Sequence, residues 1–181
     1  MDRFGLISVL GGKFTTNRLM AKQAVDAVLR QSGARMDRCL TDQVGLLETV
    51  HPVSLDHWRS MTQRVDPDAL ARLIARYGAK ALPVLQLMDH EPSLAQPVCP
   101  HHEVSQAEIV HAVRGELACT LTDVLARRTR IAWSSCQGLD ALSTFTGLLR
   151  RYAGVSADEG ERQAEQYRRF AASLPPYIKS H

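Results

Sequence analysis

SQAEIVHAVRGELACTLTDVLARRTR, Ser105 to Arg130, is the stretch whose reading decides the fold. Ser105 and Glu108 have the S-x-x-E spacing of a capping box, in which each satisfies the other's orphan donor at a helix start. Val110, Val113, Leu117, Leu121 and Val124 then step by 3, 4, 4 and 3. That rhythm places them on one stripe of a helix. Glu116, Thr120, Asp123 and Arg127 step by 4, 3 and 4 beside it, and Asp123 with Arg127 has the i,i+4 spacing of an ion pair. The expectation is one continuous helix with a buried face. The polar stripe beside it reads as an ion-pair network that fixes packing, with Arg127 buried against Asp123.

Outward from this segment the pattern stays helical. Asp66 caps a helix, Pro67 takes its first turn and Gly78 ends it. Between them Leu70, Leu73, Ile74 and Tyr77 fall on one face. A second helix is expected over Leu82 to Met88. Glu91 to His102 holds Pro92, Pro97 and Pro100 and reads as a loop. Gly138 breaks the chain. Leu139, Leu142, Phe145, Thr146 and Leu149 make another stripe, and Ser156 with Glu159 repeats the capping-box spacing before a helix to about Ala172, stopped by Pro175 and Pro176. Towards the N-terminus, Gly5 to Leu10 reads as a strand, and Thr15 to Leu29 as a helix striped by Met20, Ala21, Ala24, Val25 and Val28. A lone strand cannot satisfy its own backbone groups. The fold class expected is mainly α: a helical domain of five or six helices preceded by one short β-strand and a Gly-rich loop. The divisions expected are 1–30 for strand, loop and first helix, 31–65 for an irregular linker with a short element at Val44 to Thr49, and 66–181 for the helical domain.

Composition narrows the function classes. The 181 residues are 45% hydrophobic and 23% charged, which fits a globular chain with a core. No apolar run approaches the ~20 residues that span a bilayer, and the N-terminus lacks a signal-peptide cleavage pattern, so a cytoplasmic location is expected. Net charge is only +3 and aromatics are 6%. Neither a basic footprint nor a stacking platform is present, so no nucleic-acid partner is expected. Cys39, Cys99, Cys119 and Cys136 form no C-x-x-C pair and read as free thiols. Cys99, His101, His102 and Glu103, with His90 upstream, are metal-ligand types without a zinc spacing, so no metal site is assigned.

The chemistry-bearing motif is GGKFTT, Gly11 to Thr16. It is not a P-loop: that pattern needs Gly where Ile7 stands and Ser or Thr where Phe14 stands. Its physics still suits an anionic or electron-rich group. Gly11 and Gly12 permit close backbone approach. The helix start offers unpaired N–H groups and a positive field. Lys13 adds a point charge, and Thr15 and Thr16 can cap the helix or bond a ligand. An ordinary strand-to-helix turn with an exposed lysine is the alternative.

Gly11-Gly12-Lys13-Phe14-Thr15-Thr16-Asn17-Arg18, followed by Met20-Ala21, resembles the GGK-aromatic-TT-x-R-x-x-A segment of FAD-dependent glycerol-3-phosphate dehydrogenases. Ala107 to Arg130 looks like that family's helical C-terminal domain, and Arg76-Tyr77-Gly78 also fits. The resemblance implies a C-terminal portion whose partner is an N-terminal FAD-binding domain. The intact enzyme would oxidise glycerol 3-phosphate to dihydroxyacetone phosphate and pass electrons to a quinone, and could sit peripherally on the inner membrane. It implies that Gly11, Gly12, Lys13, Phe14 and Thr15 contact the cofactor, and that Lys13 also contacts substrate. Arg127, Arg128 and Glu116 match the family pattern and read as structural. Asn17 stands where the family usually has Tyr. No G-x-G-x-x-G occurs in this chain, so no FAD and no catalysis are expected of it alone. Two other expectations remain beside this one: a stand-alone noncatalytic helical interaction module, and the C-terminal part of a glycerol 3-phosphate oxidase using oxygen. A homodimer through the exposed strand is a further partner expectation, since an unpaired edge recruits one.

Overall fold

A computed structural model describes residues 5–44 and 65–175. The chain divides into two units, residues 1–50 and 51–181. The described residues hold six α-helices and one two-stranded hairpin, so the fold is mainly α. The short element expected at 44–49 and Pro176 lie wholly or mainly outside the described residues.

In the first unit, a 3-10 turn over Phe14–Thr16 leads into α1, Asn17–Ser32, which ends at Gly33 in the left-handed conformation. Residues 5–10 form no strand, which corrects the expectation for Gly5 to Leu10. The physical reason was already in the sequence: an isolated strand has no partner for its N–H and C=O groups. The homodimer expected through that strand therefore has no strand to use among the described residues.

The second unit begins with α2, Pro67–Tyr77. The Asp66 carboxylate accepts from the N–H groups of Asp68 and Ala69, both at 3.0 Å, and Gly78 closes the helix. Leu70, Leu73 and Tyr77 are buried. After a 3-10 turn, α3 spans Ala81–His90 and buries Ala81, Val84, Leu85 and Met88. The proline-rich segment is not a plain loop. It makes a 3-10 turn, Pro92–Ala95, then β1, Pro97–Cys99, antiparallel to β2, His102–Ser105. Pro97 stands at the first position of its strand and Pro100 in the two-residue turn, places where a missing N–H costs nothing.

The capping box forms as expected at the head of α4, Gln106–Gly115. The long helix does not. α4 stops at Gly115, Leu117 has φ +56° and is 84% exposed, and a second segment begins at Thr120. Thr120 and Asp123 cap each other there: Thr120 N–H donates to Asp123 Oδ2 at 2.9 Å, and Asp123 N–H donates to Thr120 Oγ1 at 3.1 Å. Asp123–Arg128 is then wound as a π-helix. Arg127 pairs with Asp123 but is 66% exposed, against the expectation of burial, and Glu116 pairs with Arg128 instead. After 3-10 turns at Ile131–Trp133 and Leu139–Ala141 come α5, Leu142–Ala153, and α6, Ala157–Ser173. Ser156 accepts from Glu159 N–H at 3.2 Å, but the Glu159 carboxylate turns to Arg162 and Gln163, so only half of that capping box forms. Phe145, Tyr167, Leu125, Leu149 and Ile109 are fully buried where these elements meet.

Candidate functional site

A helix start whose N-cap side chain makes no cap bond is the local feature that makes GGKFTT a candidate site. Thr16 donates its hydroxyl to Lys13 C=O at 3.0 Å, and its N–H donates to the same carbonyl at 3.2 Å. The Thr16 oxygen is thereby turned back on the loop and makes no cap bond, and Asn17 Oδ1 accepts from Arg18 N–H at 2.7 Å in the first turn. No acidic residue lies in the first turn. The helix's positive end is thus left without a carboxylate of its own.

Gly11, Gly12, Lys13 and Phe14 line one shallow groove of about 520 Å³ with Val9, Asn17 and Met20. Thr15 lies in the 3-10 turn but does not line the groove. Gly12 is open, since an added Cβ would meet nothing within 4 Å. Gly11 packs under Met20, whose Cε would stand 1.8 Å from an added Cβ. Phe14 is 87% exposed and Leu10 is 92% exposed. The groove can offer backbone donors and one ammonium to a flat or anionic group, with apolar surface on either side. It holds no acid–base pair.

In the second unit, Glu108 is the densest polar centre. It is buried and accepts from Ser105 N–H at 2.7 Å, Tyr77 O–H at 3.2 Å and Arg76 Nη1 at 3.3 Å. Arg76 also donates to the carbonyls of Thr129 at 2.6 Å and Arg128 at 3.0 Å. Burial first, then the Glu108 carboxylate, raises the Tyr77 hydroxyl well above its ordinary pKa and keeps it a donor. This network ties α2 to the capping box of α4 and to the end of the π-helical segment. The S-x-x-E spacing revealed half of Glu108's role. Its bonds to Arg76 and Tyr77, 32 and 31 residues away, left no local signal.

The His111 ring lies edge-on to Tyr77, with centroids 5.7 Å apart. Its Nε2 has no hydrogen-bond partner, and it lines a cavity with Lys80, His90 and Arg114. The metal-ligand types noted around Cys99 are only partly assembled. Cys99 and His102 come together, while His101 turns to Asp140 at 3.2 Å and Glu103 to Arg72 at 2.9 Å.

The described residues define the class: a mainly α helical unit built on an Arg–Glu–Tyr cluster, preceded in the chain by a Gly–Gly–Lys loop and a helix. Residues 9–160 match the model of a family described as the C-terminal domain of alpha-glycerophosphate oxidase, and the chain belongs to that family. It is 30% identical over 168 residues to "Glycerol-3-phosphate dehydrogenase 2" of Mycobacterium tuberculosis (strain ATCC 25618 / H37Rv), covering 90% of this chain and 28% of that protein. It is 30% identical over 178 residues to a Synechocystis glycerol-3-phosphate dehydrogenase, covering 95% of this chain and 32% of the relative. A probable mitochondrial glycerol-3-phosphate dehydrogenase of Caenorhabditis elegans is 32% identical over 178 residues, 94% of this chain and 24% of its own length. The chain thus spans about a quarter to a third of the relatives it matches. No solved structure matches it.

Proposed function

We propose that this chain serves as the C-terminal part of an FAD-dependent glycerol-3-phosphate dehydrogenase, with the GGK loop facing flavin and substrate. The observation that carries the reading is the uncapped helix start at Lys13–Asn17, open beside Gly12, in a chain matched along 90% or more of its length by glycerol-3-phosphate dehydrogenases.

The loop's residues fit the edge of a flavin better than its phosphates. Gly12 lets the backbone close on a ring, Gly11 does so if Met20 gives way, and Phe14 adds apolar contact. Lys13 would stabilise negative charge that develops on ring or substrate. Thr15 would hold the helix start. When bound, FAD supplies the two-electron acceptor for the hydride leaving carbon 2 of glycerol 3-phosphate. Gly11, Gly12, Lys13 and Phe14 orient that edge, and Lys13 also meets the substrate. The pyrophosphate, most of the substrate pocket and the route to a quinone belong to an N-terminal FAD-binding domain. On this reading the intact enzyme would be cytoplasmic, and a membrane quinone as acceptor would call for a peripheral seat on the inner membrane.

A second reading follows from the family description, which names an oxidase: oxygen would replace quinone. The test takes the polypeptide encoded by the open frame that includes Met1 and measures bound FAD and glycerol-3-phosphate-dependent reduction of quinone or oxygen. Lys13→Ala should lower kcat by about two orders of magnitude, the size of effect seen when one charge-stabilising donor is lost, while leaving the circular-dichroism melt unchanged. Unchanged turnover removes Lys13 from the site. No FAD binding and no turnover with either acceptor leaves the noncatalytic helical module.

A further inference from the structure

We infer that Cys99, His102 and Cys136 form a binding site for one zinc ion that clamps the hairpin to the loop before α5. Their ligand atoms, two sulfurs and one imidazole nitrogen, all lie within 4.8 Å of one another. His102 Nε2 is 3.2 Å from Cys136 Sγ. Around tetrahedral zinc, with bonds of about 2.3 Å to sulfur and about 2.0 Å to nitrogen, neighbouring ligand atoms stand roughly 3.5–3.8 Å apart. Closing the site therefore asks for side-chain shifts of about an ångström.

The backbone already presents the ligands. Cys99 and His102 flank the two-residue turn Pro100-His101 and are register partners across β1 and β2. Directly opposed residues put their side chains on the same face of a hairpin. Cys136 arrives from a loop of its own, between the 3-10 turns at Ile131–Trp133 and Leu139–Ala141. That loop is held by Leu139 N–H donating to Cys136 C=O at 3.0 Å, and Gly138 N–H donates to Cys136 Sγ at 3.4 Å. Ser134 Oγ is 2.8 Å from His102 Nε2 and 3.5 Å from Cys136 Sγ, within reach of the fourth position. Cys99 is buried and the other two are half-buried, so the site is shielded without being closed.

The donor set selects the metal class. Two thiolates and an imidazole suit zinc, and a hard cation such as magnesium or calcium would find no oxygen cage here. On binding, the two thiols release their protons to solvent and His102 gives up its contact with Ser134. The link joins positions 34 residues apart, so its role is to stabilise the helical unit.

The test uses the full chain, purified under thiol reductant without chelator. It should carry about one zinc ion, and added Zn2+ should raise its melting temperature by mass action. Cys136→Ser and His102→Gln should each weaken zinc affinity by about 100-fold or more, since loss of a ligand exceeds the 10–100-fold cost of losing a ligand's support. His101→Gln should not. Thiol alkylation keeps the idea falsifiable if a variant fails to fold. Saturating Zn2+ should slow alkylation of Cys136 by about tenfold or more and leave Cys39 and Cys119, which lie outside the cluster, unchanged. No zinc retained, equal affinity in Cys136→Ser, equal protection of all thiols, or a Cys99–Cys136 disulfide surviving in reductant would each overturn the site.

Discussion

The two units solve opposite problems. Among residues 65–175, thirty hydrophobic side chains are buried, and every helix contributes to that core. Among residues 5–44 not one residue is buried. Of the thirteen exposed large hydrophobics among the described residues, ten lie there, including Leu6, Val9, Leu10, Phe14, Leu19, Val25 and Val28. α1 has 16 residues, and a helix of that length is marginal in water without tertiary packing. Its local aids are the Lys22–Asp26 ion pair at 2.6 Å and the Gly33 cap. The helical unit thus carries its own hydrophobic stabilisation. The arm's apolar stripe lacks a covering surface among the described residues, which fits the reading of an arm that packs against a flavin domain.

The contrast predicts unequal mutational costs. Phe145 is 0% exposed at the centre of the core. Phe145→Ala should cost about 3–5 kcal/mol, the usual range for a buried aromatic. Val25→Ala in α1 should cost less than ~0.5 kcal/mol, as for ordinary surface positions. Urea titrations of the two variants measure both. Equal losses would mean that the arm is part of the same cooperative unit. Next in size is Glu108→Ala. It strands Tyr77 O–H and Ser105 N–H and leaves Arg76 without its carboxylate. A loss of about 3 kcal/mol is expected for breaking a buried, charge-assisted network. A loss below ~1 kcal/mol would show that water replaces the carboxylate, as at a surface pair.

These two positions also show where the sequence is legible. Phe145 was visible because its stripe, Leu142, Phe145 and Leu149, runs along one uninterrupted helix. The caps at Asp66, Gly78 and Ser105 were visible because each is a local hydrogen-bonding device with a fixed spacing. The break after Gly115 was not, because Val113, Leu117 and Leu121 keep helical rhythm across it while Leu117 points into water. Gly115 and the T-x-x-D spacing of Thr120 and Asp123 were the signals that competed with that rhythm. The hairpin was hidden by its prolines, which argue against strands unless they fall at a first position or in the turn. The partners of Glu108 and the approach of Cys136 to Cys99 are contacts between distant segments, and no local pattern encodes them.

Asp123 sharpens the comparison within the helical unit. Burial alone would raise its pKa, but the Thr120 hydroxyl and N–H, with Arg127, outweigh that and hold the carboxyl below its ordinary range. Arg127 is exposed, so removing Asp123 leaves no buried charge behind. What is lost is a cap. Asp123→Ala should therefore cost about 1 kcal/mol, the typical value of a capping side chain, rather than the 3–5 kcal/mol of a broken buried pair. A calorimetric melt decides between the two. A loss at the upper end would mean that Thr120 and Asp123 hold the whole π-helical segment rather than its first turn.

The smallest effect is a pH dependence confined to the helical unit. Burial lowers the pKa of His111; Glu116 and Glu108 oppose the shift and Lys80 adds to it. A depressed pKa means that, below the ordinary value of 6.5, the unfolded chain binds a proton that the folded chain refuses. Stability then rises with pH across that window. The contribution is complete above pH 6.5 and is lost as pH falls towards the folded-state value. His111→Phe keeps a ring against Tyr77 and removes the proton site. It should flatten part of the loss in melting temperature as pH falls below 6.5, the side on which a lowered imidazole pKa acts. An unchanged slope would mean that the cavity beside Lys80 and Arg114 lets water reach Nε2, and that the missing partner is solvent.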